Sequence, residues 1–211
     1  VLRGHPPKEW NGNLLLDHLI GARVIFSGDR SREEVAAETI SNLQARGRKP
    51  FDIPLGASDA IGAMGYIAAM EELDGQMKAG GLHFDRIVFA TSSCGTQSGM
   101  CLGAKALGMK TKVTGNAGLN VEIRPDEVLA YDGFLGAGYA IMGEPEKEAI
   151  LLAARCEGIL LDPVYTGRAM AGLIGLIRQG EFDKDETILF WHTGGSAALY
   201  AYAGQLMDGE S

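Results

Sequence analysis

Residues 91–100, TSSCGTQSGM, crowd Thr91, Ser92, Ser93, Cys94, Gly95 and Thr96 between the apolar run RIVFA and the small and apolar residues of CLGAKALG. A strand that passes through hydroxyls and a glycine into a helix aims successive backbone N–H groups at one point, with the helix dipole behind them. Hydroxyls of Ser93 and Thr96 add donors, so the turn suits a phosphate; a Ser/Thr-rich turn can equally do no more than cap its own helix. There is no Walker lysine and no G-x-G-x-x-G spacing, which disfavours an ordinary nucleotide fold. Cys94 is open to two readings as well. The electropositive helix start could activate it as a nucleophile, or it is a small residue that fits the turn, since no histidine partner can be assigned to it.

Two other turns carry unusual chemistry. In DPVYTGRAMAG, residues 162–172, Pro163 fixes the turn while Tyr165 and Thr166 stand just before a helix. An aromatic ring followed by a hydroxyl could stack on a flat ligand and touch its substituents; alternatively Tyr165 packs on the sheet end and Thr166 caps the helix. In FWHTGGSAAL, residues 190–199, an apolar strand ends in His192, Thr193, Gly194 and Gly195 before Ser196 opens a last helix. The glycine pair lets backbone or ligand come close. Thr193 is the better candidate for a ligand contact, and His192 reads as a satisfied structural residue.

The elements that must position these turns alternate along the chain. Strands are expected at 22–26 (ARVIF), 49–54 (KPFDIP), 86–90, 110–115 (KTKVTG), 158–167 (GILLDPVYTG) and 187–195 (TILFWHTGG). A helix opens at Ser31, with Glu34 three residues on as a capping pair and Gly47 as its stop. Others are expected from Ser58 to Gly80, supported by Asp59, and at 97–107, 145–158, 167–180 and 195–204. Alternating units with near-continuous apolar strands indicate parallel α/β architecture, whose ligands bind at the carboxyl ends of the strands. A boundary between two α/β lobes is placed at Leu55–Gly56, giving domains 1–55 and 56–211.

The 211 residues are 46% hydrophobic and 22% charged, an ordinary globular balance. A net charge of −8, with no basic cluster beyond RGRK at 46–49, argues against nucleic acid or an anionic membrane as a partner. Cys94, Cys101 and Cys156 form no C-x-x-C pair and read as reduced thiols, not as a disulfide or zinc framework. The sequence contains no apolar stretch of 18 residues and no signal-peptide layout at its start, so a cytoplasmic protein is expected. The opening residues, VLRG without an initiator Met, read as the tail of a buried strand, so the chain is expected to begin inside a domain.

Taken in order, FATSSCGTQSGM, GILLDPVYTGRAMAGLI and ILFWHTGGSAALYAY resemble the D-cysteine desulfhydrase and 1-aminocyclopropane-1-carboxylate (ACC) deaminase family. NGNLLLDHLIGARVIF and IPLGASDAIGAMGYIAAMEEL extend the likeness over nearly the whole chain. The resemblance implies a pyridoxal 5'-phosphate lyase of fold type II, tryptophan synthase β-like: two lobes of open twisted, mostly parallel sheets flanked by helices, missing its N-terminal part here. It implies that Ser93, Cys94, Gly95 and Thr96 hold the coenzyme phosphate and that Thr193, with Gly194, faces the pyridine nitrogen. Tyr165 would lie beside ring and substrate, with Tyr139 a second tyrosine near the substrate. Thr166 occupies the position where ACC deaminases carry Glu, so VYTG has the desulfhydrase form. The implied reaction is α,β-elimination of D-cysteine to pyruvate, ammonia and hydrogen sulfide by a homodimer acting on a small amino acid. ACC ring opening and L-cysteate desulfonation are the alternatives within the family. The chain departs from the family at Ser92 and Cys94, where Gly is expected, and in the short NAGL connection. The Schiff-base lysine and the Ser-Asn-His segment would precede Val1. Either the chain belongs to a longer enzyme, the preferred expectation, or it is a non-catalytic phosphate-binding remnant.

Overall fold

A computed structural model describes residues 1–113 and 130–208. The end of the strand expected at 110–115 and the NAGL connection lie outside the described residues. The chain divides into two compact units, Val1–Ile53 with Ala197–Ser211, and Pro54–Ser196. The division falls two residues before the expected boundary, and it groups 197–211 with the first unit instead of with 56–211. Inside that unit Gly12, buried at φ +56°, lies against Ala197 and Ala198: a Cβ there would stand in ordinary contact, 3.4 Å from the Ala197 carbonyl oxygen.

In the first unit α1 (Gly12–Leu19) is capped by Asn11, whose side chain accepts from the Gly12 amide at 2.7 Å. Helix α2 (Arg32–Ala45) is capped by Ser31, which accepts from the Glu34 amide at 3.1 Å. The strands expected at 22–26 and 49–54 are not formed. The first has only isolated bridges, Leu2 to Phe26 and Gly4 to Gly28, and in the second Phe51 and Ile53 are exposed. A β-branched run becomes a strand only where a neighbour completes its ladder.

The second unit holds a parallel three-stranded sheet in the order β2–β1–β3, with β1 at Arg86–Val88, β2 at Lys112–Val113 and β3 at Ile188–Phe190. Helix α3 (Ala60–Gly80), capped by Asp59 through the Gly62 amide at 2.7 Å, packs on α4 (Gly95–Ala106). Their seam is nearly backbone on backbone. A Cβ at Gly99 would lie 2.3 Å from the Ala63 carbonyl oxygen, and one at Gly103 2.6 Å from Met70 Cβ. Met70, Leu73, Ile87, Phe89, Met100, Cys101, Ala104 and Val113 form the core between this pair and the sheet. On α5 (Glu144–Glu157) the buried Glu146 accepts from Arg168 of α6 (Thr166–Gln179) at 2.8 Å. Residues 158–162 carry no strand, contrary to expectation. Their backbone groups go elsewhere: the Ile159 amide to the Ala153 carbonyl, the Leu160 carbonyl to His192 and the Asp162 amide to the Thr166 hydroxyl. The last helix is broken into α7 (Ser196–Leu199) and α8 (Ala203–Met207) around a 3₁₀ turn. Among the described residues no helix is long and apolar enough to cross a membrane, and no group of side chains could hold a metal ion.

Candidate functional site

The carboxyl end of β1 runs into the turn 91–94 and then into α4. Cys94 is the N-cap of α4, in left-handed conformation at φ +66°, and no side chain caps the helix. Among the described residues nothing accepts the amide hydrogens of Cys94, Gly95, Thr96 or Gln97; the first amide with a partner is Ser98, bonded to the Cys94 carbonyl at 2.9 Å. The turn is held from below by residues 55–58. A Cβ at Gly56 would fall 2.1 Å from Ser93 Oγ, and one at Gly95 2.9 Å from Ser58 Oγ.

Above the turn lies a cavity of about 310 Å³. Its wall contains Ser93, Cys94, Gly95 and Thr96, and also Tyr139, Tyr165 and Thr193 from sequence-distant loops. Leu55, Gly56, Ala90, Thr91 and Ser92 complete it, none of them singled out from the sequence. The tyrosines meet directly, with their hydroxyls 2.6 Å apart and their rings edge to face at 6.1 Å. Burial first, and then the hydrogen bond with Tyr139, push the Tyr165 phenol up to about 12, so it stays protonated at neutral pH.

Two residues predicted for the site stand off its wall. Thr166 is 0% exposed; its hydroxyl donates to Asp162 Oδ1 at 2.7 Å and accepts from the Asp162 amide at 2.9 Å. That corrects the expectation that this hydroxyl touches a ligand's substituents: it has no surface left to do so. The Gly194 amide donates to His192 Nδ1 at 3.0 Å, and His192 Nε2 lies 3.0 Å from the Leu160 carbonyl oxygen, which can only accept. The ring is therefore the Nε2–H tautomer and is spent on holding the loop. The Cys94 thiol leans on the Ser92 carbonyl at 3.6 Å. Two further residues escaped the sequence reading. Asp162 is a buried carboxylate. Gln97 is buried too: its Oε1 accepts from the Thr91 hydroxyl at 2.7 Å, while its Nε2 has no partner among the described residues. The sequence shows Asp162 two residues before Val164, a spacing suited to an Asx turn, but offers no signal for Gln97.

Residues 3–194 match the family model of pyridoxal-phosphate dependent enzymes. The chain is 36% identical over 218 aligned residues to D-cysteine desulfhydrase of Yersinia enterocolitica, covering 93% of this chain and 66% of that protein. It therefore spans about two thirds of the length of this curated relative. It superposes on the crystal structure of an ACC deaminase homologue with a TM-score of 0.81 at 34% identity, over 98% of this chain and 68% of the other. O-ureido-L-serine synthase, at 14% identity and a TM-score of 0.59 over 93% of this chain and 65% of its own, shares the fold. The chain belongs to the pyridoxal-phosphate dependent enzyme family and has its fold type II α/β architecture.

The cavity fits the phosphate of that coenzyme on its own chemistry. Its lining has amides of Cys94, Gly95 and Thr96 with no acceptor among the described residues, the hydroxyls of Ser92, Ser93 and Thr96, the Thr91 hydroxyl that is given to Gln97, and no carboxylate. A buried amide nitrogen with no partner among the described residues, on Gln97, adds to the donor excess at the same helix start. A dianion is what such a donor set lacks.

Proposed function

We propose that this chain serves a pyridoxal-phosphate-dependent lyase that eliminates hydrogen sulfide from D-cysteine or a related β-substituted amino acid. With one water consumed, the products are pyruvate, ammonia and hydrogen sulfide. The observation that carries this reading is one cavity that gathers the unpaired amides at the start of α4 with Tyr139, Tyr165 and Thr193. In this reading the coenzyme-binding domain 56–211 rests on the unit Pro54–Ser196, which begins two residues earlier and leaves 197–211 to the other unit, and 1–55 is part of a smaller domain.

In this reading the amides of Ser93, Cys94, Gly95 and Thr96 hold the phosphate, with the Ser93 and Thr96 hydroxyls beside them. Thr193, followed by Gly194, offers a neutral hydroxyl to the pyridine nitrogen. When bound, pyridoxal phosphate supplies the electron sink that lets an α-proton leave and a β-substituent depart. Tyr165, kept neutral by burial and by Tyr139, offers a hydrogen bond and no charge to the substrate side of the cavity. The ACC deaminase alternative fits less well. A glutamate at position 166 would sit fully buried against the Asp162 carboxylate, two like charges in one closed cell. L-cysteate desulfonation uses the same donors and differs only in the leaving group. The family likeness carries the expectations of a cytoplasmic homodimer.

The test is an assay of the protein in its complete encoded form against D-cysteine, L-cysteine, ACC and L-cysteate, reading sulfide, pyruvate and sulfite separately. Sulfide and pyruvate in equal amounts, fastest from D-cysteine, are expected. Tight coenzyme binding with no turnover of any of the four would favour the non-catalytic remnant instead.

A further inference from the structure

We infer that Asp162 is the positioning residue that sets two walls of the cavity at once, and that Thr166 acts through it; this step rests on the coenzyme reading above. Asp162 is 1% exposed. Its Oδ2 accepts from the amides of Val164 and Tyr165, each at 2.8 Å. Its Oδ1 accepts from the Thr166 amide at 2.8 Å and from the Thr166 hydroxyl at 2.7 Å. An ionised carboxylate has about four lone-pair sites, and all are used. Three successive amides on one carboxylate fix the backbone path through 164–166. They therefore fix the direction in which Tyr165 leaves the turn toward Tyr139. The positive end of α6 supports the buried charge.

The second wall rests on the same group. Gly195 sits at φ +91°, and a Cβ there would lie 2.9 Å from both Cγ and Oδ1 of Asp162. The loop that carries Thr193 thus lies with bare backbone on the carboxylate. Two residues earlier, the Leu160 carbonyl takes His192 Nε2 at 3.0 Å and the Ser196 hydroxyl at 3.4 Å, which clasps the same two loops a second time. The phosphate turn has no contact of this kind with Asp162. Displacing the carboxylate should therefore move Tyr165 and Thr193 together and leave the amides of 93–96 where they are.

That asymmetry is the test. The variants T166S, T166V and D162N are made in the complete protein. The dissociation constant of inorganic phosphate is measured on the coenzyme-free form, visible circular dichroism on the loaded form, and kcat and KM with D-cysteine. T166S is expected to match wild type in all readouts. T166V and D162N are expected to lose about 10- to 100-fold in kcat, the penalty of a misplaced contact near the reacting centre, with an altered visible dichroic band. Their phosphate affinity is expected to stay at the wild-type value. The inference is overturned if T166V keeps wild-type kcat and dichroism, if T166S is as impaired as T166V, or if phosphate affinity falls in step with kcat. Should D162N fail to fold, the serine and valine pair decides alone. A wild type that binds neither phosphate nor coenzyme overturns the coenzyme reading itself, and the inference with it. That outcome is distinct from a loaded, active wild type beside an unaffected T166V.

Discussion

Helices α4 and α6 both begin at a turn that follows an apolar run, and both turns carry hydroxyls, yet their N-termini are finished in opposite ways. At α6 the amides of Val164, Tyr165 and Thr166 all end on one internal carboxylate, Asp162. At α4 the amides of Cys94, Gly95, Thr96 and Gln97 end on nothing among the described residues, and no side chain caps the helix. A helix start always needs acceptors for its first amides. What decides whether it receives an external anion is whether the chain has already placed one of its own there. The α6 turn brought its anion with it and became scaffolding; the α4 turn is left open among the described residues, which is why the proposed phosphate is placed there.

The contrast can be abolished by giving α4 what α6 has. Thr96→Asp sets a carboxylate in the first turn of α4, where it suits the helix dipole and should leave the melting temperature unchanged or slightly raised. Against a phosphate dianion the same charge is repulsive at close range, and affinity for inorganic phosphate should fall about 100-fold. Calorimetric titration would show it; unchanged affinity would mean that the phosphate does not sit at these amides.

The next effect tests whether the α6 side is closed at its rim as well as at its base. Burial first, and then the Tyr139 hydroxyl, favour the neutral phenol of Tyr165 and push it from its ordinary 10.0 up to about 12. The sign follows from linkage: stability from this raised value is fully present below 10 and is lost as pH climbs through about 12. Tyr139→Phe removes the hydrogen bond and keeps the burial. The Tyr165 value should move down toward 10.0, narrowing that alkaline window, as read by tyrosinate absorbance in coenzyme-free protein. A titration identical to wild type would show that the two hydroxyls do not meet.

The smallest effect concerns strain. The N-cap of α4, Cys94, sits at φ +66°, where side chains are disfavoured, whereas the N-cap of α6, Tyr165, sits at φ −115°. Cys94→Gly relieves the strain while loosening the unfolded chain, for a net gain of about 0.5 kcal/mol. A chemical denaturation midpoint that fell instead would show the thiol holding the turn through its contact with the Ser92 carbonyl.

The sequence placed a hydroxyl-rich turn between an apolar run and a helix but left open whether its own Ser or Thr would cap that helix; that no side chain does so is visible only in the structure. The convergence of Ser93–Thr96, Tyr139, Tyr165 and Thr193 on one cavity came from the family resemblance together with the rule that parallel strands present their carboxyl ends on one side. Thr166 was legible as a hydroxyl but not as a buried one. Its direction depends on Asp162, and nothing in a linear string says that a carboxylate will turn back onto its own loop and not outward. The capping of α2 by Ser31 and of α3 by Asp59 is local chemistry and was readable as such. Strands at 22–26, 49–54 and 158–162 depend on partners far along the chain, and their apolar composition alone could not supply those partners. The grouping of 197–211 with the first unit rests on contacts between segments far apart in sequence, Gly12 against Ala197 among them, which the order of residues does not announce.

The glycine seam between α3 and α4 bears on how variation in such a protein should be interpreted. Gly99 and Gly103 do not line the cavity above the turn, and Gly103 lies eight residues past Gly95, about 12 Å along the helix axis. Yet any side chain at either position meets main chain or Met70 of α3 and must push α4 along or away, carrying the open amides with it. A survey of tolerated substitutions, scored by coenzyme retention, would rank these two glycines beside the residues of the turn itself. Sorting positions by their distance from a ligand would classify them as inert packing. In a protein built this way, the footprint of the ligand on the sequence is longer than its footprint in space.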